Sequence, residues 1–356
     1  MVESSGTADI TVHEKMANDK IKEIHCACGG AMGGKSVDDA FLKFLEEIVG
    51  KEAMDAFKGE SMEDYVELLR EFESKKRETG TEKSKVNVSI PVALKTVVKK
   101  TKSLKLEDVI NQSNFNKTVT FSRNQKLQIL QSEFKQFYHS TVTGIVNQIS
   151  DIVKTLKDGD INTIVMVGGF SDCSLIRSEL LANEFTKNRR IIIPEDAGLA
   201  VLKGAVLYGY KPETVFARVA RKTYGIQTWP MFREGVHPES KKVIVAGVER
   251  CKDIFFKYVE KGQEVMTGHR MSQVFQALGS EDDCLECTVY VSDESDPMYV
   301  TDESCTMLGV LNIPLGSSSR ERKEIEETLI FGETELRVHA RDLSTGKVVE
   351  CNLDLM

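Results

Sequence analysis

No stretch of the 356-residue sequence stays apolar over the length a membrane-spanning helix needs, so a helical membrane protein is not expected. The start, Met1-Val2-Glu3-Ser4-Ser5, is polar and does not read as a signal peptide. Positive charge is in deficit: 47 Lys and Arg stand against 55 Asp and Glu, a formal net charge of −8, which argues against a nucleic-acid surface. Histidine is sparse. Cys26-Ala-Cys28 and Cys284-Leu-Glu-Cys287 have metal-like spacing but no nearby histidine pair to complete a zinc site, so the eight cysteines read as reduced thiols. His13, His25 and His139 read as ordinary surface or packed residues. What remains is a cytoplasmic globular chain, 41% hydrophobic and 29% charged, long enough for one large or two ordinary cores.

The organising stretch is Ile161-Asn-Thr-Ile-Val-Met-Val-Gly-Gly-Phe170. Its β-branched run predicts a central strand, buried on both faces of a parallel sheet. Gly168 and Gly169 break the run, and Ser171 or Asp172 can cap a helix over Cys173 to Phe185. Paired glycines between a strand and a helix make either a plain tight turn or a place where backbone approaches a flat or anionic ligand. Next, Arg189 to Pro194 reads as a short strand stopped by proline. Glu195 and Asp196 then open a helix whose Ala197, Gly198, Ala200, Gly204 and Ala205 allow close packing.

With its Val-Gly-Gly-Phe turn and its Gly-Leu-Ala-Val-Leu-Lys-Gly-Ala-Val-Leu-Tyr-Gly helix, the chain resembles the actin-like ATPase module of the 70-kilodalton heat-shock protein family. The likeness is to the second half of that module, in its divergent family-12 subgroup, and it extends over almost the whole chain. It implies an adenosine turn at Gly168, Gly169 and Phe170. The family's second phosphate loop, Asp-x-Gly-Gly-Gly-Thr-x-Asp, is matched at Gly6, Thr7 and Asp9, with Ser4, Ser5 and Val2 at positions of two glycines and an acid. The resemblance also sets Gly33 and Gly34 against nucleotide phosphates, within a glycine-rich run that by itself reads as a flexible helix entry. There Ser36 is a plausible cap for the stripe Phe41, Leu42, Leu45, Ile48 and Val49.

Between Lys51 and Arg77 the apolar pattern predicts two helices split near Gly59. Their end, Glu73-Ser-Lys-Lys-Arg77, matches the family's Glu-x-x-Lys-Arg: Glu73 and Lys76 would hold the ribose, and Arg77 would stack on adenine. Read without the resemblance, it is a charged helix end facing water. A short strand over Val86 to Ile90 and a long helical segment from Leu127 through Leu156, one helix or two broken near Gly144, complete the first part. Past Pro212 the pattern turns to short strands with glycine and charged turns, including Val243 to Val248, which signals an antiparallel sandwich. Its Asp342-Leu-Ser-Thr-Gly-Lys347 turn resembles that of the family's substrate-binding sandwich.

The expected fold is α/β: a partial actin-like (ribonuclease H-like) nucleotide-binding domain over residues 1–211, its second half only, then a lidless antiparallel β-sandwich over 212–356. The resemblance implies ATP or ADP, with magnesium as a further cofactor, and extended or unfolded peptides as partners of a stress-response chaperone. The family's first phosphate loop and catalytic lysine would precede Ser4, so little hydrolysis is expected. The competing expectation is a noncatalytic scaffold or sensor that keeps the fold without the ATPase.

Overall fold

The computed structural model describes residues 6–76, 84–122, 125–156, 161–276, 284–314, 323–331 and 335–354. It is a mixed α/β protein with several sheets, divided into one compact unit of Met1–Ile10 and Cys28–Leu207 and another of Thr11–Ala27 and Tyr208–Met356. Strands β1 (Ala8–Lys15) and β2 (Ile21–Gly30) belong partly to each. No helix among the described residues is long and apolar enough to cross a membrane.

The first unit is built on helices. α1 (Gly34–Val49) buries Val37, Phe41, Phe44, Leu45, Ile48 and Val49 along one stripe. The chain enters it at Gly33, and Ser36, expected as the cap, instead donates its hydroxyl to the Ala31 carbonyl at 2.7 Å. α2 (Lys51–Glu60) and α3 (Met62–Lys76) follow, parted just past Gly59. Then come β3 (Lys85–Ser89), α4 (Val92–Lys102), α5 (Leu106–Gln112), β4 (Val119–Phe121) and β5 (Lys126–Leu130), the strands forming an antiparallel sheet in the order β3-β5-β4. Leu127 and Leu130, expected to open the long helix, lie instead in β5, where they pair with neighbouring strands, and α6 (Gln131–Thr155) then runs unbroken through Gly144. A Cβ at Gly144 would lie 2.5 Å from the Met32 sulfur, so the glycine serves a close approach and marks no helix break.

Rings from three helices form the centre of this unit. Phe41 of α1 stacks on Phe72 of α3, centroids 3.9 Å apart and planes at 4°. Phe137 of α6 meets Phe41 at 5.9 Å and Phe44 at 5.0 Å. Each such pair adds about 0.5–1.5 kcal/mol to the area its rings bury.

The stretch expected to be a central strand is organised differently. β6 (Thr163–Val165) pairs in parallel with β7 (Arg190–Ile192) alone among the described residues. Val165 is 56% and Val167 44% exposed, because a two-stranded sheet cannot cover both faces of an apolar run. Between these strands α7 (Ser174–Ala182) starts after Cys173. The hydroxyl of Ser171, a candidate cap, is donated back to the Gly168 carbonyl at 2.7 Å. α8 (Ala197–Tyr210) carries Leu199, Val201, Leu202, Val206 and Leu207 exposed, with only Ala197 buried.

In the second unit, β8 (Val215–Val219) lies parallel to β2 and antiparallel to β13 (Glu264–Met266) in a sheet ordered β1-β2-β8-β13. The remaining strands are β9 (Thr223–Thr228), β10 (Lys242–Val245), β11 (Val248–Cys251), β12 (Ile254–Val259), β14 (His269–Gln276), β15 (Cys284–Ser292), β16 (Cys305–Pro314), β17 (Glu324–Phe331), β18 (Glu335–Asp342) and β19 (Val348–Asp354). Two four-stranded sheets result, β12-β9-β15-β16 and β14-β17-β18-β19, with antiparallel pairing in both. They share one apolar cluster, with Ile226, Val289 and Ile313 from one sheet and Leu329, Val338 and Ala340 from the other. The single strand expected over Val243 to Val248 is the β10–β11 hairpin instead. Ala246 and Gly247, at φ 49° and 77°, supply the two positive-φ positions of a tight hairpin turn.

Candidate functional site

All the described residues singled out from the sequence lie in the first unit, on three short backbone features. At the chain's start, Gly6 accepts the Gly33 N–H at 3.0 Å, so the Gly6-Thr7 segment lies beside the entry to α1. The Thr7 hydroxyl donates to Asp9 Oδ2 at 3.2 Å on exposed β1. Gly33 and Gly34 form the amino end of α1, where the first-turn N–H groups and the helix dipole favour negative charge.

The second feature is the carboxyl end of α3. Lys76, its side chain 8% exposed, donates its ammonium to the Gly34 carbonyl at 3.2 Å. The same nitrogen pairs with Asp38 Oδ1 at 2.7 Å and Glu73 Oε2 at 2.5 Å. One cation thereby ties the glycine entry of α1 to the last turn of α3. Burial raises the Asp38 carboxyl above the ordinary aspartate value, and the Lys76 ammonium opposes that rise. Glu73 remains half exposed. Arg77 lies outside the described residues.

The third feature is the turn after β6. Gly168 sits at φ +91°, a backbone conformation that side-chain-bearing residues rarely adopt. Its N–H donates to the Ala197 carbonyl at 2.7 Å, and its own carbonyl accepts from Ser171. A Cβ at Gly168 or Gly169 would meet nothing within 4 Å, so the turn borders open space. Phe170 stacks on Tyr138 of α6, centroids 6.3 Å apart at 9°, and the Tyr138 hydroxyl donates to the Lys76 carbonyl at 3.2 Å.

Lys76 thus links to Gly34 through its side chain and toward Phe170 through its carbonyl. Two members of this arrangement, Asp38 and Tyr138, are absent from the sequence-based set. Asp38 stands in the glycine-rich stretch, but nothing in its spacing pairs it with a lysine on another helix. Tyr138 looks like one more apolar position of α6, beside Phe134 and Phe137. Chemically, the arrangement offers helix-start N–H groups to an anion, carboxylates to hydroxyl donors, and an open glycine turn to a flat group. Among the described residues, no group of three His, Cys, Asp or Glu side chains comes together as a metal site.

No protein-family model matches the chain. Among curated proteins it is similar to heat shock 70 kDa protein 12A of Homo sapiens, 29% identical over 357 residues that cover 99% of this chain and 53% of that one. The Mus musculus 12A protein is 28% identical over 357 residues, and heat shock 70 kDa protein 12B of Homo sapiens 28% over 362, with the same shares of each chain covered. Over nearly its whole length the chain is similar to these family-12 members of the 70-kilodalton heat-shock proteins. It spans about half the length of the curated relatives it matches. The likeness runs across both compact units and carries no residue assignments by itself.

Proposed function

We propose that this family-12-like chain binds ATP or ADP in its first unit, which we read as part of an actin-like lobe. The observation that carries the reading is the Lys76 bridge. It joins the glycine entry of α1, the phosphate side, to the end of α3 that carries Glu73, the ribose side. Gly168, Gly169 and Phe170 complete the adenosine side, and Tyr138 holds Phe170 against the same helix end. Gly6 and Thr7 border the phosphate side. A magnesium ion would be held chiefly by the phosphates, with Asp9 the carboxylate of that set, as magnesium commonly binds through one or two carboxylates plus substrate oxygens.

The second unit we read as a β-sandwich for chaperone-like contact with extended peptides in the cytoplasm, by strand addition at a sheet edge. Weak hydrolysis belongs to the same reading, because Ser4, Ser5 and Val2 stand where the family's phosphate loop has two glycines and an acid. Phosphoryl transfer rests on donors and metal ligands around the γ-phosphate, and Gly6, Thr7, Asp9, Gly33 and Gly34 would form one wall. A noncatalytic scaffold or sensor is the second reading. It is favoured by the ion pairs of Lys76 to both Asp38 and Glu73, which balance the buried cation without any ligand.

Calorimetric titration of the chain with ADP separates the two. The nucleotide reading expects saturable binding that Gly169→Val abolishes by filling the open space beside the turn. Equal heats with and without the substitution, or none in either, would leave the scaffold reading.

A further inference from the structure

We propose that residues 293–304, which join β15 to β16, are a displaceable stopper on the edge of β12, the edge with which an extended peptide pairs. The proposal rests on the peptide-contact reading of the second unit, to which it adds the edge and its control.

β12 is the end strand of its sheet, with β9 on one side and, among the described residues, no named strand on the other. Its first backbone groups are nonetheless taken. The Phe255 N–H donates to the Met298 carbonyl at 3.0 Å, and the Val300 N–H donates to the Asp253 carbonyl at 2.9 Å. Between these bonds Ile254 faces Tyr299 as an antiparallel bridge. That is the ladder of an added strand one pair long. Pro297, which has no N–H, stands at one end of it. At the other end the chain turns away, the Asp302 N–H donating to the Tyr299 carbonyl at 3.1 Å. Met298-Tyr299-Val300 thus imitates an incoming strand over the start of β12, which is six residues long.

What holds the stopper down comes from outside it. Lys257 donates to the Ser295 carbonyl at 3.1 Å and to Asp296 Oδ1 at 2.8 Å. Lys222 pairs with Asp293 Oδ1 at 3.1 Å, and Lys261 donates to the Asp293 carbonyl at 2.8 Å. Lys241 donates to the Thr301 hydroxyl at 2.7 Å, with its ammonium 5.1 Å from the centroid of the Tyr299 ring. The Thr223 hydroxyl adds a bond to the Glu294 carbonyl at 2.6 Å. Asp293 is 65% and Asp296 87% exposed, so these ion pairs stand in water, where each is weak and salt screens it. A tethered segment competes at an effective concentration in roughly the millimolar range, which keeps weakly binding peptides off the edge. A segment that pairs along more of β12 gains ladder bonds the stopper does not make. Loosening the lysine contacts therefore opens the edge without altering the edge itself.

The test is fluorescence anisotropy of a labelled synthetic peptide with the sequence of residues 293–303, titrated with the full chain. Wild type is compared with the triple variant Asp293→Ala, Asp296→Ala and Thr301→Val. These substitutions take from the stopper the side-chain partners of Lys222, Lys257 and Lys241 and leave β12 and the lysines as they are. The variant should bind the peptide roughly tenfold more tightly than wild type, the joint effect of three weak surface contacts. A peptide N-methylated at the residue matching Val300 lacks the N–H that meets Asp253 and should lose that gain. Amide hydrogen exchange of wild type gives a readout free of substitutions. Raising salt from about 50 mM to about 500 mM should speed exchange over residues 253–256 and 298–300, with β9 unchanged. Equal binding of plain and N-methylated peptide by the variant overturns the proposal, as does exchange that salt leaves unmoved. Equal affinity of wild type and variant, weakened in both by N-methylation, overturns the stopper and leaves strand addition standing at another edge. Binding by neither form overturns both.

Discussion

Two parts of the first unit are rich in apolar residues and opposite in burial. The rings of Phe41, Phe44, Phe72, Phe134 and Phe137 are buried against one another between α1, α3 and α6. α8 has no charged residue but Lys203, ion-paired to Asp196, yet Val206 is 69% exposed and its apolar neighbours are little better covered. The converse case lies in the second unit, where Glu327 on β17 is 4% exposed between Ile325 and Leu329 on the inward face of its sheet. Hydropathy states what a segment would gain from a core. Whether it gets one depends on how many neighbours the fold provides, and three helices plus a sheet provide what a two-stranded β6–β7 pair does not.

This contrast can be broken most forcefully at the aromatic centre. Phe72→Ala should lower the unfolding free energy by about 3–5 kcal/mol, because Phe72 is fully buried and stacked on Phe41. Denaturant titration followed by circular dichroism measures this, and a loss below about 1 kcal/mol would mean that the ring cluster is not a core.

Glu327 should give the next largest effect, and one that depends on pH. Burial pushes its carboxyl up from 4.5 to about 7, while a hydrogen bond with the Cys287 thiol pulls the other way. The same burial, with Glu327 nearby, raises the Cys287 thiol and the Tyr258 hydroxyl, so both stay neutral beside it. Because the folded value lies above the unfolded one, the stability linked to this group is fully present below about pH 4.5 and lost as pH rises through about 7. Glu327→Gln should flatten that slope and stabilise the chain at pH 8 by roughly 1–3 kcal/mol. A wild-type slope in the variant would show that Glu327 is ionised at neutral pH.

Asp342 sharpens the comparison from the opposite side. Its carboxylate accepts from the Ser344 hydroxyl at 2.6 Å, the Ser344 N–H at 2.8 Å and the Thr345 N–H at 3.3 Å, which hold its value down at about 2. Stability linked to it is present above 3.8 and is lost as pH falls through about 2. Asp342→Ala should cost about 1–2 kcal/mol at pH 7 and weaken the acid limb of a thermal-melt series. The smallest effect belongs to α8, where Val206→Thr should change stability by no more than about 0.5 kcal/mol. A cost near that of Phe72→Ala would mean that this helix is covered in solution.

How far the sequence could be read follows the same physics. The α1 stripe, the α2–α3 break near Gly59 and most strands past Pro212 were legible because local periodicity and turn chemistry decide them. The Asp342 turn was legible for the same reason. The exposure of Val165 and Val167 was not, since burial is set by neighbouring strands and not by the strand's own residues. β14 escaped notice because His269–Gln276 is mostly exposed and shows little apolar alternation. In the candidate site, the glycines and the Glu73–Lys76 pair could be found through motif spacing. Asp38 and Tyr138 could not, because their roles arise from packing α1 and α6 against the end of α3.

The central claim is that nucleotide sits where the Lys76 bridge joins the glycine entry of α1 to the turn at Gly168. Amide hydrogen exchange of the chain with and without ADP tests it most directly. The account predicts slower exchange, on ADP addition, over residues 33–36, 73–76 and 168–171 together, with the second unit unchanged. Unaltered exchange in all three segments, or protection confined to the second unit, would contradict it.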